Sequence, residues 1–226
     1  MSLNANPETL LERVKADGDE SSAHSLLQAF FAGYPIERLR ELLQSTNEAT
    51  VRSGAWLASE LGSRVAPLLG DLNLLLGHSS RYVRFFALDG VLAGASVRDG
   101  AVVSRALRLL HDPDGAVRWK AANFAARASG EQLAAAARFL DQPELATNLK
   151  WLLAQDDDID RAGLVARLHS SERLMRVFAW AAAARQARHD RTLLEEAMLS
   201  EDAEISSLAR EWLGFDEPPD ASARRE

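Results

Sequence analysis

The sequence predicts an all-α fold, an α-α superhelix of about six helix pairs preceded by N-terminal capping helices. Three observations carry that prediction. Of 226 residues, 39 are Ala and 35 are Leu, against 11 Val, 3 Ile and 5 Thr; this favours residues that lose little entropy in a helix over those that suit strands. A short pattern, a hydrophobic residue followed by Arg and then by Ala three residues later, recurs along the chain. Leucine-rich segments that end in polar turns lie between the copies.

In chain order, residues 6–15 and 22–31 read as capping helices separated by an ADGDE turn, which assigns 1–33 to an N-terminal cap. The repeat array follows over residues 34–214. Val51 and Arg52 lead to Ala55, Val83 and Arg84 to Ala87, Val117 and Arg118 to Ala121, and Met175 and Arg176 to Ala179. Two weaker copies complete the series, Thr147 and Asn148 with Trp151 in place of Ala, and Ile205 and Ser206 with Ala209. Positions 52, 84, 118, 148, 176 and 206 are spaced by 32, 34, 30, 28 and 30 residues, a period that marks a repeat architecture.

Each unit reads as two helices. The first carries leucines, as in IERLRELL, RVAPLLGDLNLLL, VVSRALRLL and LVARL, and stops at a turn such as QSTNE, GHSSR, HDPDG, DQPE, HSSE or SEDAE. Those turns supply the Ser, Asp, Pro and Gly that end one helix and cap the next. In the second helix, the residue before the Arg and those three, six, seven and ten after it share one face on a 3.6-residue period. That face is apolar and rich in small residues, so it must be buried by stacking of adjacent units. Beyond the array, FDEPPDASARRE reads as a disordered tail over 215–226.

This pattern resembles the HEAT-repeat family (HEAT-like, or PBS-lyase-type, helical repeats). ALRLLHDPDGAVRWKAANFAARA is the best match, and Asn148 and Ser206 are departures from it. The resemblance implies antiparallel helix pairs stacked into a right-handed superhelix whose second helices line a concave face. It also brings narrower relatives into view: small acidic HEAT-like immunity proteins that neutralise toxin enzymes, HEAT-like DNA glycosylases and chromophore lyases. Scaffolds of this kind serve many roles, so the fold alone does not choose among them.

Composition narrows the chemistry. With no Cys, disulfides, thiol nucleophiles and Cys-ligated zinc are excluded. Phosphate-cradling Gly loops, HExxH and GxSxG are absent from the sequence. No catalytic residue, metal site or cofactor is expected. His78, His111 and His169 each close a leucine helix, where they suit its unpaired carbonyls. Asp156, Asp157, Asp158 and Asp160 lack the central Gly and distal Glu of a calcium loop and read as a turn and helix cap. Glu60 and Asp89 read as surface carboxylates. Arg52, Arg84, Arg118 and Arg176 read as stacking residues that pair with polar groups of the adjacent unit.

The net charge is −7, and residues 190–226, with 11 acidic and 4 basic side chains, account for all of it. Residues 79–130 are locally basic, with 8 Arg or Lys against 4 Asp or Glu. The start of the chain has no apolar stretch of signal-peptide length, and the longest apolar run, residues 177–184, falls far short of the roughly 20 residues of a membrane span. The expectation is a cytoplasmic protein.

A partner-binding face follows from helix geometry. If the small-residue face points at the core, residues one and five after the Arg project opposite to it. The first set includes Phe85, Trp119, Leu149 and Val177, the second Asp89 and Asn123, with Trp56 and Trp180 at the margin. Such a stripe has the composition of an interface core. The expected function is non-catalytic binding of a protein or peptide on this concave face. Nucleic acid fits poorly, because groove binding to DNA draws on many phosphate contacts and the chain is neutral to acidic outside residues 79–130. In a glycosylase, Trp119 and Asp89 would take the functional roles.

Overall fold

The computed structural model describes residues 6–215. Among them there are fourteen α-helices and no strand. They are α1 (Pro7–Asp17), α2 (Glu20–Phe31), α3 (Arg40–Leu43), α4 (Glu48–Glu60), α5 (Leu69–Leu75), α6 (Arg81–Gly94), α7 (Gly100–Arg108) and α8 (Gly115–Arg127). After these come α9 (Gly130–Ala137), α10 (Pro143–Asp157), α11 (Arg161–Leu168), α12 (Arg173–Gln186), α13 (Thr192–Met198) and α14 (Ala203–Phe215). Short 3-10 turns lead into α3 and α5 and extend α7. Beyond Phe215, the expected tail lies outside the described residues. No described helix is long and apolar enough to cross a membrane.

The six repeated positions fall on α4, α6, α8, α10, α12 and α14, one per second helix, as the period predicts. Polar caps set the boundaries. Asn6 accepts from the Glu8 amide to open α1, and Gly18, at φ 77°, closes it in the left-handed region that favours glycine. Asp19, Asn47, Asp114, Asp160 and Asp202 each accept backbone amides at the start of the following helix.

The chain forms two compact units, Met1–Phe124 with Glu131–Phe139, and Ala125–Gly130 with Leu140–Glu226. In the first, α1 packs on α2, α3 on α4, α5 on α6, and α4 and α6 lie against each other. Small residues permit these approaches. A Cβ on Gly90 would stand 2.9 Å from Leu72, and one on Gly94 would stand 3.0 Å from Val65. The predicted face is buried along α6, at Val83, Ala87, Gly90, Val91 and Gly94, and along α8 and the residue just after it, at Val117, Ala121, Phe124, Ala125 and Ala128.

The second unit is built around α12, which packs against α10, α11, α13 and α14. A helix touched on all sides must be apolar all round, and Val177, Phe178 and Ala179 to Ala184 are all buried.

Three of the four repeated arginines, Arg84, Arg118 and Arg176, stitch turns together. Arg84 donates to both carboxylate oxygens of Asp112 at 2.7 and 2.8 Å and to the carbonyls of His78 and Ser79. Arg176 donates to Asp202 and to the Ser170 carbonyl, each at 2.6 Å. Arg118 donates to the carbonyls of Asp112 and Pro113. Each Arg thus ties down the turn before its own helix, and Arg84 and Arg176 also grip the Asp of the next turn. In the fourth unit, Asn148 takes the Arg position and accepts from Arg167 at 2.8 Å, whose guanidinium lies over the Trp151 ring. Burial pushes the Arg167 pKa down.

Candidate functional site

Three helices of the first unit each present a pair of side chains four residues apart, which places both on one face. Glu20 and His24 come from α2, Arg52 and Trp56 from α4, and Tyr82 and Phe86 from α6. With Ala23 and Ser53 they enclose a groove of about 440 Å³. Ala23 and Ser53 are buried and floor it, and the Ser53 hydroxyl donates to the Gly18 carbonyl at 2.9 Å. The His24 and Trp56 rings meet at 4.5 Å between centroids, and His24 Nδ1 donates to the Glu20 carbonyl at 2.8 Å.

Tyr82 and Phe86 also line a second depression of about 360 Å³, with Arg81, Phe85, Asp114, Ala116 and Val117. From there the aromatic surface continues onto α8. Phe85 and Trp119 stack with ring planes 9° apart and centroids 6.3 Å apart. Lys120 sits over both rings, 4.3 Å from Phe85 and 5.3 Å from Trp119, and binds Asp89 at 2.8 Å. Arg81 lies over Tyr82 and bonds to Asp114. That bond, first among several, holds the Asp114 carboxyl below its ordinary value, against the opposing effect of desolvation. Trp56, Phe85, Phe86 and Trp119 are half-buried, and Tyr82 is exposed.

Of the eight residues expected on the binding face, the structure therefore brings Trp56, Phe85, Asp89 and Trp119 to one accessible surface. The other four are corrected. Leu149, Val177 and Trp180 have no accessible surface, and Asn123 is buried with its amide donating to the Trp119 carbonyl.

Each correction has a physical cause. In α10 the buried stripe is Leu145, Asn148, Leu149, Leu152 and Gln155, while Thr147, taken from sequence as the core anchor, is exposed. The correct anchor is Leu145, two residues earlier, and Leu149 falls where other units carry a buried Ala. Val177 and Trp180 lie on α12, which is covered on all sides. Trp180 packs edge-on against Trp212, with centroids 5.6 Å apart.

The remaining sequence candidates are accounted for locally. His78 Nδ1 accepts the Ser80 amide, His111 ends its 3-10 turn, and His169 Nε2 lies 3.5 Å from Glu196. Asp156 forms a bidentate pair with Arg185, and Asp160 caps α11. Glu60 is exposed. No three His, Asp or Glu side chains come together to hold a metal among the described residues.

Glu20, His24, Tyr82 and Phe86, which line the groove, and Lys120, which covers the Phe85 and Trp119 rings, are residues that repeat alignment passes over. Glu20 and His24 stand outside the repeat, on a capping helix. Tyr82 and Phe86 flank the Arg84 position by two residues on either side, a spacing that a search for i, i+4 aromatic pairs on the second helices would have found.

No protein-family model matches the chain, and comparison with curated proteins gives no match. Among solved structures, it is similar to an engineered protein from a structural genomics programme, at 18% identity and a TM-score of 0.48, over 92% of this chain and 87% of that one. It is also similar to a designed armadillo repeat protein, at 16% identity and a TM-score of 0.47, over 94% of this chain and 95% of that one. The helix-pair repeat itself rests on this chain's own caps, spacing and packing.

Proposed function

We propose that this helical-repeat scaffold is non-catalytic and binds a protein or peptide segment along the aromatic surface of its first unit. The observation that carries the proposal is the contiguous set of Trp56, Tyr82, Phe85, Phe86 and Trp119, all accessible, on neighbouring second helices. Aromatic side chains beside Arg and Lys are the residue types that anchor interfaces. The groove is wide enough for a bulky side chain and open enough for a chain to run along it. Asp89, the carboxylate that base excision would require, is engaged by Lys120, which favours a binding surface over an acid-base site.

The test is to pan a random dodecapeptide library on the full chain and on a Trp56→Ala/Phe86→Ala variant of matched thermal stability. Sequences enriched on the parent and lost on the variant support the proposal. Equal enrichment on both proteins, or none on the parent, removes it.

A further inference from the structure

Arg52 is the repeated arginine that the ladder does not use. Arg84 and Arg176 close on an aspartate of the next turn, 28 and 26 residues later. The equivalent stretch after Arg52 is Gly-His-Ser-Ser-Arg, residues 77–81, where positions 78 and 80 are His and Ser. The ladder's carboxylate is missing there. The carboxylate paired with Arg52 instead is Glu20 Oε1, 3.8 Å away, beyond hydrogen-bond length. Both side chains are open to water, Arg52 at 43% and Glu20 at 80%, so the pair contributes little. The guanidinium therefore lines a groove with Trp56, Tyr82 and Phe86, and among the described residues its fork of donors meets only the distant Glu20.

The neighbouring cations differ. Arg81 is held by Asp114 and Lys120 by Asp89, each within 3.2 Å, and both cover aromatic faces.

We propose that the groove takes an acidic-aromatic peptide segment, with its Asp or Glu carboxylate bound to Arg52 and the adjacent apolar side chain seated among Trp56, Tyr82 and Phe86. This deepens the peptide-binding reading above and rests on it. Charge complementarity selects the occupant: a guanidinium fork matches one carboxylate, whereas a nucleic-acid strand needs a run of cations along its phosphates, and here the flanking cations are already paired. Glu20 then acts as a weak internal competitor that the incoming carboxylate displaces.

The test uses dodecapeptides recovered by panning on the full chain. Their affinities are measured by fluorescence anisotropy, together with versions in which the acidic residue is replaced by its amide. Recovered sequences are expected to carry Asp or Glu within about three residues of an aromatic or large aliphatic side chain. On the parent the amide version binds about tenfold more weakly, as loss of one charge-assisted pair implies. On Arg52→Gln the two versions bind alike, and Glu20→Gln tightens the acidic version a few-fold while leaving the amide version unchanged. If binding depends on Trp56 and Phe86 but the acid and amide versions bind alike on the parent, the acidic specificity is overturned and the groove reading stands. If binding is indifferent to Trp56 and Phe86, the groove reading itself fails. A twelve-residue oligothymidine that binds more tightly than the peptides and competes with them would overturn the proposal in favour of a single-stranded nucleic acid.

Discussion

Replacing Asp112 with Ala should cost about 3 kcal/mol of stability. The Arg84–Asp112 pair is nearly enclosed, with side chains 11% and 3% exposed, and two donor atoms of Arg84 engage it. The Asp112 bond raises the Arg84 pKa above its ordinary value, against the pull of burial. Removing one partner of such a pair leaves an uncompensated buried charge, for which about 3–5 kcal/mol is usual. The lower end applies, because Arg84 keeps its bonds to the His78 and Ser79 carbonyls. At roughly 2–4 °C per kcal/mol for a chain of this size, the midpoint should fall by about 6–12 °C.

Urea unfolding of the parent, Asp112→Ala, Arg84→Met and the double variant would give the coupling between the two side chains, expected near 2 kcal/mol. Asp89→Ala is the control, since its pair with Lys120 is a third exposed on the carboxylate side and should cost less than about 1 kcal/mol. A loss below about 1 kcal/mol for Asp112→Ala, or coupling near zero, would refute the claim that Arg84 holds adjacent turns together.

Further predictions separate core from surface. Trp180→Ala should lower stability by about 3–5 kcal/mol in thermal and chemical melts, because the ring has no accessible surface. Trp119→Ala should weaken peptide binding with a much smaller melting shift. Gly18→Ala should destabilise by roughly 2 kcal/mol, because the residue has φ +77° and a Cβ would stand 2.6 Å from the Ala49 carbonyl carbon; an unchanged midpoint would contradict that packing.

Acid should act through Asp202. Burial pushes its carboxyl up, but Arg176 and the amides of Glu204 and Ile205 outweigh that and hold it below its ordinary value of 3.8. A depressed carboxylate contributes stability that is complete above the unfolded value and lost as pH falls through the folded one. As pH falls from about 5 to below the ordinary carboxylate value, Asp202→Asn should therefore flatten the decline of the unfolding midpoint, and a parallel decline in both proteins would count against the assignment.

The repeat was legible because its second helices carry a strong signal. A hydrophobe, an Arg and a spaced Ala must recur wherever helices stack closely, and α4, α6, α8 and α12 keep all three. In α10 the signal fades. Asn148 replaces the Arg, and with Trp151 in place of the expected Ala the alignment slips by two residues, which turned Leu149 the wrong way. Val177 and Trp180 show a different limit. Periodicity gives the direction in which a side chain leaves its helix, but what waits on that side depends on tertiary neighbours, and α12 has them all round. Asn123 was misplaced for a related reason, since its amide folds back on the Trp119 carbonyl. The groove was half legible. Trp56, Phe85, Asp89 and Trp119 follow from repeat positions, whereas Glu20 and His24 reach it from a capping helix that carries no repeat signal.

The chain has five tryptophans, at 56, 119, 151, 180 and 212, and they make the central claim directly measurable. With 5-fluorotryptophan incorporated, each ring reports its own surroundings by fluorine NMR, and single Trp→Phe variants assign the five signals. Titration with a peptide recovered by panning should move Trp56 most, then Trp119, and leave Trp180 unmoved. Movement of Trp180 or Trp212 with Trp56 stationary would contradict a binding surface on the first unit.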